Sequence, residues 1–260
     1  MILAVDIGNT MICWGLVSNQ KIHKAWRTRS DLPDEAFRRE AGKILREIKR
    51  SPLVFSEIQA VVVCSVVPRV LRKLKPLLRR SLNKKILIVG GNIHVPIKNC
   101  YRDPRQVGQD RLVGAYAARS LYGTPLIVVD LGTAITFDVI SRQGTYLGGM
   151  IVPGIRLSAE SLFKKTALLP LVDIKGPKEI IGRDTENSIL SGIFYGYGAL
   201  CDGVIGLLAQ KIKSRPRVIV TGGYADLMKR YAGRFERIDE DLVLKGLELL
   251  YRCRISSRSL

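Results

Sequence analysis

The chain has 260 residues, 47% of them hydrophobic and 25% charged. This composition excludes a disordered or low-complexity protein and leaves room for one large domain or two ordinary ones. Its 42 Lys and Arg outnumber 23 Asp and Glu, for a formal net charge of +19. No uncharged apolar run reaches the ~18 residues of a membrane span. Asp6 interrupts the first apolar stretch, and no basic segment precedes it, so neither a signal peptide nor a membrane anchor is expected. The five cysteines (Cys13, Cys64, Cys100, Cys201 and Cys253) are scattered, without a C-x-x-C pair. That pattern suits reduced thiols in a cytoplasmic protein better than a disulfide framework or a zinc site.

Residues 2–7 read as a strand, followed by a turn and a second strand from Met11 to about Val17. "KIHKAWRT" (21–28) alternates and reads as a third strand. A helix is expected from about Pro33 to Lys49, with Asp31 as its cap. "AVVVCSVV" (60–67) is a β-branched run of the kind buried on both faces of a sheet, and Pro68 ends it. The basic segment "RVLRKLKPLLRRSLNKK" (69–85) carries leucines at helical spacing, then "KILIVG" (85–90) is another buried strand. The excess positive charge thus falls on outer helices that cover a sheet. No aromatics interleave with it, and no nucleic-acid motif is present, which argues against nucleic acid as a partner.

A helix is expected over 110–122. "LIVVDLGTAITFDVI" (126–140) then repeats the opening pattern of strand, acid, small-residue turn and strand, and "TYLGGMIVPG" (145–154) adds a third strand. A helix-rich stretch follows, then a strand at "RVIVTGG" (217–223) and a final helix over 240–252. Asp6 and Asp130 lie 124 residues apart, about half the chain. The spacing predicts a duplicated α/β domain, one copy over 1–118 and the other over 119–260. The glycines at 192, 196 and 203 fall in the helix-rich stretch and are expected to let helices pack closely.

Each repeated turn places a carboxylate at the end of a buried strand with small residues after it. Gly8 and Gly132 permit close approach of a ligand to the backbone. Asn9, Thr10 and Thr133 bring amide and hydroxyl donors that suit phosphate oxygens. The carboxylates of Asp6 and Asp130 repel phosphate but can hold the cation that accompanies it. For a single copy, an ordinary hairpin turn explains D-x-G as well. Two copies at matching places favour a nucleotide held between duplicated halves.

No P-loop motif occurs. In "YRDPRQVGQDRLVGAYAA" (101–118), Asp110 and Arg111 fall in the first turn of a helix. Asp110 reads equally as a helix-terminal acid or as the carboxylate that takes a proton from an alcohol during phosphoryl transfer. Arg111 can hold an anionic acceptor. His23 and His94 have no evident Ser or Cys partner, which leaves acid–base work to carboxylates.

"DIGNT" (6–10), "SVVP" (65–68), "VGQDR" (107–111), "DLGTAITFD" (130–138), "GGMIVPG" (148–154) and "GRDTENSILSG" (182–192) occur in this order. Together they resemble the type III pantothenate kinase family of the acetate-and-sugar-kinase/Hsp70/actin superfamily. The resemblance implies two ribonuclease-H-like (actin-like ATPase) domains with a nucleotide cleft between them. It implies ATP-dependent phosphorylation of the 4′-hydroxyl of pantothenate, the first step of coenzyme A synthesis, by a cytoplasmic homodimer. Carried over by motif, Asp6, Ile7, Gly8, Asn9, Thr10, Met11, Ile12, Cys13 and Thr133 would bind ATP. Asp110 would accept the proton, and Tyr101, Gly108, Gln109, Asp110, Arg111 and Thr185 would contact pantothenate, Thr185 from the partner subunit. Asp130 would bind a monovalent cation, potassium or ammonium, and Asp6 would be the acid near magnesium. Met11, Ile12 and Cys13 stand where the family often has polar residues, so backbone donors would have to serve there. The alternatives are another phosphotransferase of the superfamily, or a non-catalytic nucleic-acid-binding regulator on the same fold.

Overall fold

A computed structural model describes residues 1–256. In chain order its elements are β1 (Ile2–Ile7), β2 (Met11–Ser18), β3 (Lys21–Arg29), α1 (Asp34–Lys49), α2 (Pro52–Glu57), β4 (Ala60–Ser65), α3 (Pro68–Leu82), β5 (Lys85–Ile88) and α4 (Gln109–Tyr122). There follow β6 (Leu126–Leu131), β7 (Ala134–Ile140), β8 (Tyr146–Pro153), α5 (Ile155–Lys165), α6 (Thr185–Lys211), β9 (Arg217–Thr221), α7 (Ala225–Met228), β10 (Arg237–Ile238) and α8 (Leu242–Ser256).

The strands form two five-stranded sheets, ordered β3-β2-β1-β4-β5 and β10-β9-β6-β7-β8. The second order is the first read from the other edge. In each sheet the central strand is antiparallel to the next strand in sequence and parallel to a later one. Asp6 pairs with Cys13 across its hairpin, and Asp130 pairs with Thr136 across the other. The sequence repeat is therefore a structural repeat, strand for strand.

The chain forms two compact units. The first contains residues 1–97, 103–117 and 241–256; the second contains 98–102 and 118–240. The chain changes unit inside α4, after Ala117. Two exchanges escape a simple halving. The short segment Lys98–Arg102 belongs with the second unit, because Tyr146 N donates to Lys98 O and Cys100 N donates to Tyr146 O, both at 2.9 Å. α8 belongs with the first, because its Leu244, Leu247 and Leu250 pack with Ile2 and Ala4 of β1.

Within the first unit, α1 and α3 cover one sheet face, packing Leu45, Ile48, Leu74 and Leu78 against Leu3 and Val5. Alternation along β1 sends successive side chains to opposite faces, and α8 covers the other. The basic residues of α3 (Arg69, Arg72, Lys73, Lys75, Arg79 and Arg80) all lie on its exposed side. The expected cap of α1 is not used. Pro33 occupies the N-cap position, so Asp31 lies too far upstream and pairs instead with Arg29 at 2.6 Å. His23 on the edge strand β3 does have a hydroxyl neighbour, Ser18 Oγ, 2.7 Å from its Nε2. The pair is exposed.

In the second unit, α6 is long and apolar enough to cross a membrane by length and composition alone, although Asp202 interrupts its apolar run. Its Ile189, Leu190, Phe194, Cys201 and Ile205 lie in the core of that unit with Val129 and Phe137 of the sheet. The close-packing glycine of α6 is not one of the three expected. A Cβ at Gly192, Gly196 or Gly203 would meet open space, whereas one at Gly198 would lie 1.9 Å from Tyr231 O. Helix orientation decides this, and glycine spacing alone does not reveal it.

Gly198→Ala should therefore destabilise the chain by about 1–3 kcal/mol through overpacking, whereas Gly203→Ala should stabilise it by up to about 1 kcal/mol through helix propensity. Thermal or urea unfolding of the two variants checks this; equal effects would contradict the packing assigned to Gly198.

Candidate active site

The first turn begins where β1 runs out of partners. Gly8 N donates to Met11 O at 2.9 Å and closes the turn. A Cβ on Gly8 would sit 3.2 Å from that same oxygen. Ser30, buried at the end of β3, clamps the turn from outside. Its Oγ donates to Gly8 O at 2.7 Å, and its N donates to Thr10 O at 2.9 Å. The carbonyls of Gly8, Thr10 and Met11 are thus held by hydrogen bonds within the protein. Asn9 and Met11 are exposed and Thr10 half-buried, but the side chains of Ile7 and Ile12 are fully buried. Those two positions can offer a ligand only backbone atoms. Cys13 is half-buried and packs beside the core under β1. Ser30 was not legible as part of this site, because it lies 22 residues from Gly8 and reaches it only through the β2–β3 hairpin.

Asp6 and Asp110 gather at the same end of this sheet. Cys64 pairs with Asp6 in the parallel β1–β4 register. Burial, and then the charges of Asp6 and Asp110, push the Cys64 thiol well above its ordinary range. Asp110 stands in the first turn of α4, where its Oδ1 accepts from Arg111 N at 2.8 Å. Burial pushes its carboxyl above the usual aspartate range, against the lowering pull of the Arg111 amide and guanidinium. Desolvation therefore wins, and the group is a stronger base than a solvated aspartate. Gly108 makes room for it, since a Cβ there would lie 2.4 Å from Asp110 Oδ1. Gln109 packs against Gly90, whose φ of +79° and tight surroundings exclude a side chain.

In the second unit, Asp130 closes β6 and Thr133 is exposed on the following turn. Three glycines shape this turn. Gly132 N donates to Ala134 O at 3.2 Å, and Gly154 N to Thr133 O at 3.2 Å. A Cβ at Gly154 would lie 2.2 Å from Thr133 O. Gly222 has φ +95°, and a Cβ there would lie 2.4 Å from Asp130 Oδ1. The Asp130 carboxylate therefore sits in a cradle that side chains at 132 and 222 would fill. The role of Gly222 as a wall of this cradle depends on the parallel β6–β9 pairing, which joins Asp130 to Thr221. Tyr101 belongs to this unit, beside Tyr146 at a ring-centroid distance of 6.4 Å. Thr185 is the exposed first residue of α6, whose cap Asp184 accepts from Asn187 N at 2.8 Å.

Among the described residues, no group of three or more His, Cys, Asp and Glu side chains gathers as a metal cluster. A cation at Asp6 or Asp130 would take one carboxylate from the protein and complete its shell with phosphate, carbonyl or water oxygens. That is the habit of magnesium in phosphoryl-transfer sites.

Duplicated β-β-β-α-β-α-β sheets, each ending its central strand in D-x-G, define the class of fold: two copies of an actin-like, ribonuclease-H-like α/β domain. Solved structures agree on the fold. A Campylobacter jejuni protein assigned to the Baf family of transcriptional activators matches over 98% of this chain and 100% of its own, with a TM-score of 0.63 at 20% identity. The ROK hexokinase of Thermus thermophilus matches over 98% and 99%, with a TM-score of 0.51 at 13% identity. The family follows from sequence. The family model for type III pantothenate kinase matches residues 2–206. The type III pantothenate kinase of Listeria welshimeri is 41% identical over 253 residues, 97% of each chain. That of Geobacter sulfurreducens is 40% identical over 252 residues, 96% of this chain and 98% of its own. The chain belongs to the type III pantothenate kinase family.

The burial pattern orders the thiols by reactivity. Exposed Cys100 and Cys253 should be alkylated first, and fully buried Cys64, with its raised thiol, only on unfolding. Mass spectrometry after timed iodoacetamide treatment checks this; early labelling of Cys64 would contradict its full burial.

Proposed function

We propose that the chain transfers the γ-phosphoryl group of ATP to the 4′-hydroxyl of pantothenate, forming 4′-phosphopantothenate in the first step of coenzyme A synthesis. The observation that carries this reading is the 41% identity over 97% of both chains with a type III pantothenate kinase. The residue chemistry agrees with it. Phosphoryl transfer needs positioning, charge neutralisation and a carboxylate to accept the alcohol proton, and the repeated turns and Asp110 have those properties.

In this reading Asp110 accepts the proton of the attacking hydroxyl. Its environment suits the task, because a carboxyl raised by burial holds an abstracted proton better than a solvated one. Arg111 pairs with the pantothenate carboxylate, and Tyr101, Gly108, Gln109 and Thr185 line its path, Thr185 from the partner subunit. The Asp6–Cys13 segment binds the ATP phosphates, and Thr133 contacts the nucleotide. Magnesium near Asp6 and a potassium or ammonium ion at Asp130 supply charge neutralisation for the phosphates when bound. The glycine cradle around the Asp130 carboxylate supports a compact cation there.

The working form proposed is a cytoplasmic homodimer. Ile151 on the edge strand β8 and Leu157, Leu162 and Phe163 on α5 are exposed apolar residues, a composition suited to an interface. Light scattering should give twice the 28.9 kDa chain mass; a monomer at micromolar concentration would contradict the dimer.

Asp110→Asn should lower kcat by about 10²–10⁴-fold while ATP binding, read by calorimetry, is retained. The acid limb of the wild-type kcat/KM profile should lie above the ordinary aspartate value of about 3.9, because rate falls as Asp110 gains its proton. A near-wild-type rate for Asp110→Asn would reduce Asp110 to a helix-terminal acid. Asp130→Ala should abolish the activation by potassium over sodium; an unchanged potassium response would move the cation elsewhere.

A further inference from the structure

Behind Tyr101 lies a buried polar chain that the proposed mechanism does not use. Asp138 on β7 is 2% exposed and Tyr146 at the start of β8 is fully buried. Tyr146 Oη donates to Asp138 Oδ1 at 2.7 Å, and Thr136 Oγ1 donates to Asp138 Oδ2 at 3.2 Å. A carboxylate at this depth is costly to desolvate, and a phenol in a wholly apolar site is replaceable by Phe. The pair must therefore be judged by what it holds in place.

What it holds is the seat of Tyr101. The Tyr146 backbone grips the segment before Tyr101 from both sides, through Lys98 O and Cys100 N at 2.9 Å each. Tyr101 N donates to Asn99 Oδ1 at 2.9 Å, which turns the chain at that point. The two tyrosine rings then meet at 6.4 Å with an interplanar angle of 36°. A register shift between Val139 and Ile140 re-aims this end of the β7–β8 ladder. Two residues after Tyr146, Gly148 has φ +116°, and a Cβ there would touch the Tyr101 ring at 3.5 Å. The ring thus rests between Tyr146 and a position that cannot easily carry a side chain.

We infer that Asp138 and Tyr146 are positioning residues for pantothenate recognition: the Asp138 carboxylate fixes the Tyr146 phenol, and the Tyr146 ring fixes Tyr101. A buried phenol-to-carboxyl hydrogen bond of 2.7 Å is directional, so it sets the tilt and depth of the Tyr146 ring. Loss of the phenol oxygen removes this tether and leaves the ring free to shift. The effect reaches substrate only through Tyr101. The inference rests on the reading that Tyr101 contacts pantothenate.

A double-mutant cycle on the full chain tests it, with Tyr146→Phe, Tyr101→Ala and the double variant compared by steady-state kinetics and thermal midpoint. Tyr146→Phe should raise the pantothenate KM about three- to tenfold, the size of one net hydrogen bond, with kcat and the ATP KM within about twofold. Tyr101→Ala should raise the pantothenate KM at least as much. The double variant should be no worse than Tyr101→Ala alone, because residues acting through one contact are not additive. If Tyr146→Phe does not yield folded protein, Asp138→Asn keeps the volume and an acceptor for the phenol. It should give a smaller shift in the same parameter. A pantothenate KM unchanged in Tyr146→Phe but raised in Tyr101→Ala would overturn the inference and leave the role of Tyr101 standing. So would a fully additive double variant. A pantothenate KM unchanged in Tyr101→Ala would overturn the underlying reading of Tyr101, and the inference with it.

Discussion

A carboxylate at the end of a strand buried on both faces is the constraint around which each half of this chain is built. Leu3 to Val5 and Ile127 to Val129 have at most 3% exposure, and one residue later each strand carries an aspartate. An ionised group next to such a core must find charge or donors at once. It can do so only at the strand end, where the ladder gives way to a turn. The residues after it must be small, because the backbone has to fold back close to the carboxylate. Gly8, Gly132 and Gly222 meet that demand by different routes. Gly8 closes a hairpin, Gly132 sits beside Asp130, and Gly222 comes from a parallel neighbour strand with positive φ. A cation is the natural complement to such a group, which is why the same turn suits a metal-linked phosphate.

The proposed base follows a related logic. Asp110 is held by a helix start rather than a strand end. Its Oδ1 engages the next backbone amide, Gly108 gives it space, and the same sheet end buries it. Burial and the local donors act in opposite directions on its proton affinity, and burial prevails. The fully buried Cys64 thiol, which both Asp6 and Asp110 push upward, links the two carboxylates electrostatically. The first unit therefore gathers the two carboxylates proposed as phosphate-side acid and proton acceptor around one strand-end neighbourhood.

Most of the strands were legible because buried β-branched runs ending at Gly, Pro or Asp leave few alternatives, as at 60–65 and 126–131. The duplication was legible because two D-x-G turns sit at matching places. What the sequence hid was tertiary. Ser30 reaches Gly8 through a hairpin, and Gly222 reaches Asp130 through a parallel crossover, so no local pattern connects either pair. Lys98–Arg102 and α8 exchange units because their contacts are with distant strands. Gly198 outranks Gly192, Gly196 and Gly203 only because Tyr231 lies against it. Asp31 looked like a helix cap, but Pro33 fixed the helix start downstream of it.

The central claim is that these strand-end carboxylates and Asp110 serve a kinase whose acceptor is pantothenate. The most direct measurement is transfer of labelled γ-phosphate from ATP in the presence of magnesium and potassium, with pantothenate, glucose and acetate offered separately as acceptors. The account predicts stoichiometric label on pantothenate and none on the sugar or acetate. Label transferred to another acceptor while pantothenate stays unlabelled would contradict it.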